Sequence, residues 1–425
     1  MARWIYTLIF TLLMPLVLIR LGLRARKAPA YGRRIPERFG VFKGPAQKGG
    51  YWFHTVSVGE FLAAAPLIED IMAAQPGVPI TITCMTPTGS EQIRQRFADK
   101  LGKQVFHVYL PYDLPILLRG FLKRVRPQWL VIVETELWPN LIATSQRFGV
   151  KVMVANARLS ERSAKGYAKV GALTKDMLER IDVLAVQNSV DGARFLALGM
   201  PQANMNVTGS IKFDIEVDDA VKAAALEWKQ KWGAQRKVIA VASTHLGEDE
   251  VALDALSEVA NTIPDVVMII VPRHPERFDQ VAKLIQDRGW QLRRRSQQNV
   301  DADTQVLLVD SMGEMMTFLA CADVCLMGGS FVENGGHNPL EPAALSIPVV
   351  MGESQFNFAL ICEQLEAAGG LVTVSPKDVG GQLLAWLESD ALRARHGACG
   401  LAVVKENQGA KQKVKDLILA LADSN

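Results

Sequence analysis

Glutamates that directly follow apolar, strand-like runs are the first candidates for chemistry in this sequence. Glu60 closes the motif Ser57-Val58-Gly59-Glu60, which comes after the apolar run 51–56. Glu134 and Glu136 alternate after the run Val131-Ile132-Val133. Because burying an unpaired charge is very costly, carboxylates at this second position are hard to explain as core packing. A glutamate at a strand end can act as a general base. Glu60 is explained equally by a first-turn carboxylate that the helix dipole favours.

Lys212 is a candidate of a different kind, because it lies where the chain passes between its two halves. It stands in the motif Gly209-Ser210-Ile211-Lys212-Phe213-Asp214. The compact positive charge of a lysine suits a phosphate group, and a solvated linker lysine explains the same residue equally well.

The second half of the sequence carries residues that suit an anionic ligand. Arg273 follows an all-apolar run, where its guanidinium can bind a phosphate, although a surface salt bridge is the alternative. Two motifs, Asp310-Ser311-Met312-Gly313-Glu314 and the segment 334–341, indicate helix starts whose backbone N–H groups can receive an anion. Pro339 supports the second of these starts. Glu314 and Glu341 can accept hydrogen bonds from hydroxyl groups. Together these features favour a nucleotide-type ligand.

No metal or other cofactor is expected. Asp301-Ala302-Asp303 has the spacing of a metal-binding pair but lies in a polar stretch typical of an exposed loop. His337 and Glu341 are four residues apart, yet no third ligand is visible. The five cysteines form no CxxC pair, which indicates reduced and mostly buried thiols. The sequence also has no Walker loop, GxGxxG, HExxH or GxSxG motif, which weakens kinase, dehydrogenase, metalloprotease and serine-hydrolase interpretations.

The elements that must position these residues alternate between short apolar runs and amphipathic stretches. The chain has 425 residues, 49% of them hydrophobic, and is long enough for two domains. Continuous apolar strands separated by helices indicate parallel sheets covered on both faces. Ligands of such sheets bind at the carboxyl ends of the strands. We therefore expect two Rossmann-like α/β domains facing each other across a cleft. The predicted strands are 51–56, 80–85, 105–110, 129–134, 151–157 and 183–187 in the first half, and 238–242, 266–271, 306–309, 324–327, 348–351 and 371–374 in the second.

Charge and hydropathy distinguish the N-terminus from the rest of the chain. Residues 1–43 contain nine basic residues and one acid, a net charge of +8, whereas the whole chain carries only +3. Residues 4–19 lack any charge, and a basic cluster follows them. This order fits a membrane anchor with the body on the cytoplasmic side, and argues against a signal peptide and against a nucleic-acid groove in the body. A spanning helix and an interfacial helix are both compatible with the length and with Pro15.

These observations predict four segments. Residues 1–28 form the anchor and its basic flank, 29–213 the N-terminal Rossmann-like domain, 214–236 a linker, and 237–425 the C-terminal Rossmann-like domain with the terminal helices.

The sequence resembles the 3-deoxy-D-manno-octulosonic acid (Kdo) transferase family of Gram-negative bacteria from the anchor to about residue 408. Several long blocks occur in the family's order, which is a more specific signal than any single motif. The blocks are Ser57-Val58-Gly59-Glu60, Met85-Thr86-Pro87-Thr88-Gly89-Ser90, Glu134-Thr135-Glu136-Leu137-Trp138-Pro139-Asn140, Asn156-Ala157-Arg158-Leu159-Ser160, Gly209-Ser210-Ile211-Lys212-Phe213-Asp214, Pro272-Arg273-His274-Pro275-Glu276-Arg277 and Gly335-Gly336-His337-Asn338-Pro339-Leu340-Glu341.

The resemblance implies a GT-B glycosyltransferase in lipopolysaccharide biosynthesis. Such an enzyme transfers Kdo from CMP-Kdo to the tetra-acylated lipid A precursor at the cytoplasmic face of the inner membrane, and inverts the anomeric centre. By matching motif, Glu60 is the general base, and Glu134 and Lys212 assist the transition state. The resemblance makes 29–213 the acceptor-binding domain and 237–425 the CMP-sugar-binding domain. The implied CMP site consists of Pro272, Arg273, Met312, Gly313, Glu314, Asn338, Pro339, Leu340 and Glu341.

Two alternatives stay open. Another GT-B enzyme or an epimerase that uses a UDP-sugar shares this architecture, and a membrane-tethered nucleotide-binding protein without catalysis belongs to a different class. The basic residues Arg33, Arg34 and Arg38 are candidates either for the phosphates of the lipid A precursor or for anionic lipid head groups.

Overall fold

A computed structural model describes residues 1–297 and 299–423 and divides the chain into two compact units. The first unit contains Met1–Ile211 together with the C-terminal segment from Gly409, and the second contains Lys212–Gln408. Each unit is built around one seven-stranded parallel sheet. The predicted doubly wound α/β architecture is confirmed for both halves.

The first unit begins with the long apolar helix and continues with alternating strands and helices. Among the described residues, Ala2–Arg26 is long and apolar enough to cross a membrane, with a mean hydropathy of 2.0. The helices are α1 Ala2–Lys27, α2 Ile35–Arg38, α3 Val58–Ala74, α4 Pro87–Arg96, α5 Pro115–Val125, α6 Pro139–Arg147, α7 Glu161–Ala168, α8 Gly171–Leu178 and α9 Ser189–Ala197. The strands are β1 Tyr51–His54, β2 Ile80–Cys84, β3 Val105–Tyr109, β4 Trp129–Val133, β5 Lys151–Ala157, β6 Val183–Val186 and β7 Met205–Val207.

The order of the first sheet is β3-β2-β1-β4-β5-β6-β7. Helices cover both faces because side chains alternate along each buried strand. Phe53 packs with Phe61 on one face, and Trp52 packs with Phe121 on the other. The strand order reverses between β1 and β4, which pair directly, with Tyr51 opposite Trp129. A parallel sheet opens a crevice for ligands at such a reversal, beyond the carboxyl ends of the two strands.

The second unit repeats this plan of alternating strands and helices. Its strands are β8 Val238–Thr244, β9 Val267–Pro272, β10 Leu292–Arg294, β11 Val306–Leu308, β12 Val324–Met327, β13 Val349–Met351 and β14 Leu371–Thr373. Its helices are α10 Asp219–Trp232, α11 Glu248–Ala260, α12 Phe278–Asp287, α13 Met315–Ala320, α14 Leu340–Ala344, α15 Ala359–Ala368, α16 Val379–Glu388 and α17 Asp390–Asn407. The strand order of its sheet is β10-β11-β9-β8-β12-β13-β14, and this order reverses between β8 and β12.

The structure differs from the expected segments at three places. The last helix, α18 Ala410–Asp423, packs into the core of the first unit through Val414 and Ile418 rather than joining the second. The segment 214–236, expected as a charged, helical linker, contains α10, whose Trp228 and Trp232 pack on the second sheet, so that it belongs to the second unit. The polar stretch 293–305, which we expected to be an exposed loop, overlaps the edge strand β10. Hydropathy did not indicate this strand because two of its three residues are arginines.

Candidate active site

Glu60 lies at the start of α3, immediately beyond the carboxyl end of β1. Ser57 caps this helix, because its Oγ accepts a hydrogen bond from the Glu60 backbone N–H at 3.3 Å. The Glu60 carboxylate accepts two hydrogen bonds in return, from the Ser57 hydroxyl at 2.7 Å and from the Val56 backbone N–H at 2.6 Å. The arrangement resembles a capping box, except that the carboxylate accepts from the N–H of Val56 and not from that of the cap residue Ser57. The helix-terminus explanation of Glu60 therefore describes its position correctly, and it fixes where the carboxylate lies.

Burial decides the proton affinity of Glu60, which sequence reasoning left open. Desolvation raises the pKa of Glu60 to about 7. The hydrogen bonds from Ser57 and Val56 oppose that rise, whereas the nearby carboxylates Glu136 and Glu134 add to it. A carboxylate with a pKa near neutrality holds a proton well enough to serve as a general base at physiological pH.

Glu134 and Glu136 lie beyond the carboxyl end of β4, the strand next to β1. Glu134 adopts a left-handed backbone conformation with φ of 61°, and its carboxylate forms an ion pair with Arg158 at 3.2 Å. Glu136 accepts a hydrogen bond from the Trp138 indole N–H at 3.0 Å, and burial raises the pKa of its carboxyl. The structure therefore brings the three predicted glutamates to the reversal point of the first sheet.

His54, the last residue of β1, was not singled out from the sequence. Its ring is fully buried and lies edge-on to the Trp138 ring, with centroids 6.1 Å apart. Nδ1 is 3.0 Å from the Thr83 hydroxyl, and burial lowers the pKa of His54 to about 4. The imidazole is therefore neutral at pH 7. It packs against Trp138, whose indole N–H donates to Glu136. Its position at the very end of a strand is the signal that could have identified it.

Two of the three arginines considered for acceptor phosphates are engaged within the fold. Arg34 forms an ion pair with Glu37 at 2.7 Å and donates to the Ser90 hydroxyl at 2.6 Å. Arg38 is buried and donates to the Met85 carbonyl at 3.0 Å. Both guanidinium groups also stack on Tyr109. Arg33 is exposed.

Lys212 is the first residue of the second unit and lies in a short 3₁₀ turn, Ile211–Phe213. The neighbouring Phe213 is buried in the core of that unit. The Lys212 ammonium lies 5.6 Å from the centre of the Phe358 ring, a cation–π contact. Lys212 is thus half-buried and held by the second unit, whereas Glu60 and Glu134 belong to the first.

In the second unit, Arg273 lies just beyond β9, next to a cluster of histidines. Its backbone N–H donates to the Thr244 carbonyl at 3.1 Å. Within the described part of the chain no carboxylate lies within ion-pair distance of its guanidinium. His245 follows β8, and its Nε2 is 2.8 Å from Nε2 of His337. The positive charge of Arg273 adds to burial in lowering the pKa of His337, to about 3. Arg273 is thus a half-buried cation that forms no ion pair within the described residues, at the reversal point of the second sheet.

Glycines bring His337 to this position. The loop Gly335-Gly336 folds back on the end of β12, where the Gly336 N–H donates to the Gly329 carbonyl at 2.7 Å. Gly329 and Gly336 have φ of 71° and 74°. A Cβ on Gly329 would lie 2.9 Å from the His337 ring. Only glycine therefore permits this close approach.

Asn338, Pro339, Leu340 and Glu341 form the start of α14 beside Arg273. Asn338 accepts from the Leu340 N–H at 3.2 Å and donates to the Glu341 carboxylate at 3.3 Å. Burial raises the pKa of Glu341, and the Asn338 hydrogen bond and the Arg273 charge oppose that rise. The helix starts at Leu340, so Pro339 occupies the cap position rather than the first turn.

Glu314 does not present a free acceptor in this structure. Arg295 donates to its Oε1 at 2.9 Å, and the Ser311 hydroxyl donates to its Oε2. Met312 is exposed, and Gly313 has φ of 86°, so the turn before α13 is open to solvent. Pro272 is buried as the last residue of β9. No sequence pattern predicted that Arg295, nineteen residues upstream of Glu314, would pair with it.

The described residues of the two units contain no cluster of potential metal ligands. In residues 1–297 and 299–423 no group of three or more His, Cys, Asp or Glu side chains could hold a metal ion. Asp301 of the DxD segment instead forms an ion pair with Arg293 at 2.8 Å.

Residues 33–215 match the family model described as 3-deoxy-D-manno-octulosonic-acid transferase (kdotransferase). Over 432 residues, and across the full length of both chains, the sequence is 39% identical to the 3-deoxy-D-manno-octulosonic acid transferase of Haemophilus influenzae. The chain belongs to the Kdo transferase family. A second Kdo transferase, from Bordetella pertussis, is 36% identical over 380 residues, which is 87% of each chain.

The fold of this Kdo transferase family member is also found in more distant proteins. A crystal structure of UDP-GlcNAc 2-epimerase from Neisseria meningitidis covers 88% of the chain with a TM-score of 0.56 and 15% identity. That identity supports the fold alone. The predicted GT-B class and the predicted glycosyltransferase activity, Kdo transfer, are confirmed, and family membership favours a transferase over the epimerase alternative.

Proposed function

We propose that the protein transfers Kdo from CMP-Kdo to the tetra-acylated lipid A precursor with inversion of the anomeric centre, at the cytoplasmic face of the inner membrane. The observation that carries this proposal is the Glu60 carboxylate, fixed at the reversal point of the first sheet with a pKa of about 7. Membership of the Kdo transferase family supports the identity of the transferred sugar.

In the proposed step, an acceptor hydroxyl loses its proton to Glu60 while its oxygen bonds to the anomeric carbon of Kdo. The bond from that carbon to the CMP phosphate oxygen breaks, and its electron pair leaves with CMP. Attack on the face opposite the leaving group inverts the configuration. Glu134 and Glu136 assist by keeping the proton affinity of Glu60 high.

The donor part of the proposal rests on the second unit. Negative charge grows on the phosphate as CMP departs, and a preorganised cation stabilises such charge without reorganising water. Arg273 is a half-buried guanidinium without a carboxylate partner in the described residues, so its charge is available for that role. Asn338 and Glu341 lie beside it, and Lys212 supplies a second positive charge. Met312 and Gly313 form an open turn suited to ligand contact.

Attachment to the membrane is supported by α1 and its basic flank. Arg20, Arg24 and Arg26 follow the apolar run, and this order supports a cytoplasmic location of the body. The acceptor, a glycolipid, reaches the protein from the same surface.

The test is transfer from CMP-Kdo, generated in situ, to the tetra-acylated lipid A precursor, with EDTA present and products resolved by mass spectrometry. We expect the acceptor mass to increase by one or more Kdo units, and the product linkage by NMR to show the inverted anomer. CMP should bind in calorimetry and UDP should not. Binding of UDP in preference to CMP would favour the UDP-sugar alternative, and retention at the anomeric centre would exclude the single displacement.

A further inference from the structure

An apolar cavity in the first unit lies between α1 and the body of the protein. Its volume is about 400 Å³, within the range of small-molecule sites. Tyr6 and Phe10 of α1 form one wall, Trp138 forms part of another, and Leu173 and Met177 of α8 line the rest. The proposed transfer step does not involve the residues that line this cavity.

The helix that forms the first wall is held to the unit by buried polar contacts. The Tyr6 hydroxyl lies near the fully buried Asp113 carboxylate, which interacts with it electrostatically. The Asn140 side-chain amide donates to the Thr7 hydroxyl at 2.9 Å. Because these contacts fix the N-terminal half of α1, the wall belongs to the folded unit.

The polar atoms that line the cavity already have partners elsewhere. The Tyr6 hydroxyl interacts electrostatically with the Asp113 carboxylate, and the Trp138 indole N–H donates to Glu136. The Thr174 hydroxyl donates to the Tyr167 carbonyl at 2.8 Å. The side chains that remain for a ligand are aliphatic and aromatic, so the cavity suits a hydrocarbon rather than a polar molecule.

The two ends of the cavity differ in chemistry. On one side, α1 continues as an apolar helix whose outward residues, such as Leu8 and Leu12, are more than 60% exposed. On the other side, Trp138 contacts Glu136, which lies two residues after Glu134 in the carboxylate cluster. A molecule in the cavity therefore has its apolar part against α1 and its polar part towards Trp138 and Glu136, whose charge acts on the proposed general base Glu60.

We propose that this cavity binds one acyl chain of the glycolipid acceptor and thereby places the acceptor sugar at Glu134, Glu136 and Glu60. This inference rests on the proposed function. The occupant is the acyl chain of the acceptor because the cavity joins the membrane-facing helix to the carboxylate cluster. A bulk phospholipid has no sugar hydroxyl to deliver there.

The kinetic test fills the cavity with Leu173→Trp and uses two acceptors, the tetra-acylated precursor and the same disaccharide with its acyl chains removed. The control, Leu226→Trp, places the same side chain on an exposed position of α10. Losing a few methylene contacts in an apolar site costs tenfold or more. We expect Leu173→Trp to raise the KM for the acylated acceptor at least about tenfold, and to leave kcat/KM for the deacylated acceptor and CMP binding at wild-type values. An unchanged KM, or equal losses on both acceptors, would overturn the proposal.

A second measurement does not depend on turnover or on the folding of a variant. The wild-type protein is irradiated with a tetra-acylated precursor that carries a diazirine in one acyl chain, and labelled peptides are mapped by mass spectrometry. Labelling of α8 and of the inward face of α1, with competition by unlabelled precursor, is expected. Labelling confined to the outward face of α1, or equal competition by phospholipid, would contradict an acceptor site. If the wild type labels α8 yet transfers no Kdo, the proposed function fails and the acyl site stands.

Discussion

The Nε2 atoms of His245 and His337 lie 2.8 Å apart, and their rings are stacked with an interplanar angle of 3°. One proton is shared at that distance, so the two rings cannot both be charged. The histidines follow β8 and come from the loop after β12, the two strands between which the order of the second sheet reverses. Burial lowers the pKa of both rings, and the charges of Arg273 and His274 lower it further.

Binding of CMP should therefore raise the pKa values of the histidine pair, because a phosphate beside Arg273 offsets a positive charge that holds those values down. The phosphate also exchanges protons on binding, so calorimetry in two buffers of different ionisation enthalpy measures the sum for ligand and protein. His337→Ala should change the number of protons exchanged, and His396→Ala, which changes a histidine of α17, should leave that number at the wild-type value. An unchanged number in His337→Ala would remove the histidine pair from the proton balance.

Glu60→Gln should lower turnover by roughly 10²-fold to 10⁴-fold, because the amide cannot accept the acceptor proton. Its CMP affinity should equal that of the wild type. Glu69→Gln, a change of a partly exposed residue on the same helix, is the control and should retain turnover. Normal turnover in Glu60→Gln would remove Glu60 from the base role.

Glu60→Gln should also be more stable relative to the wild type at pH 8 than at pH 5. The pKa of Glu60 rises from 4.5 to about 7 on folding, so the native state binds more protons than the unfolded state between these values. Stability of the wild type is therefore lost as pH rises from about 4.5 to 7, and the amide does not titrate. Urea unfolding at both pH values should show that the advantage of the variant grows by about 1 to 3 kcal/mol. An advantage that does not change with pH would contradict the raised pKa.

Ser57→Ala should move the acid limb of the pH–rate profile to higher pH. The wild-type rate should rise as Glu60 loses its proton near pH 7, and the Ser57 hydroxyl lowers that pKa by its hydrogen bond. Ser160→Ala removes a comparable cap from α7 and serves as the control. Both changes should cost about 0.5 to 2 kcal/mol of stability, and only the first should shift the profile. An unshifted limb in Ser57→Ala would show that another group controls it.

Arg273→Ala should weaken CMP binding about tenfold to a hundredfold, as expected for losing a charged hydrogen-bond donor. Arg288→Ala removes an exposed arginine that pairs with Asp254 in the same unit, and should bind CMP normally. Calorimetry of both variants provides the comparison. Equal affinities would exclude Arg273 from the phosphate site.

A chain that starts at residue 24 should leave the membrane fraction, because it lacks most of the apolar helix that we propose as the membrane anchor. The full chain should remain with membranes in high salt. Sedimentation of the shortened chain in high salt would place the membrane contact in the body of the protein.

Sequence alone located most of the strands and placed Glu60, Glu134 and Arg273 beyond their carboxyl ends. This succeeded because buried parallel strands are continuous apolar runs, and because polar residues just after them lie at one edge of the sheet. The apolar helix at the N-terminus was visible for the same reason, since hydropathy is a local property. The edge strand β10 was missed because its side chains are only partly buried and include two arginines.

Tertiary structure decided the features that depend on partners far away in the chain. The pairing of β1 with β4 places Glu60 near Glu134 and Glu136, and the resulting burial sets the pKa of Glu60. The pairing of Glu314 with Arg295 and the return of α18 to the first unit are also contacts between distant segments. Strand order, desolvation and ion pairing are set by packing between such segments, and no local pattern of residue types encodes them.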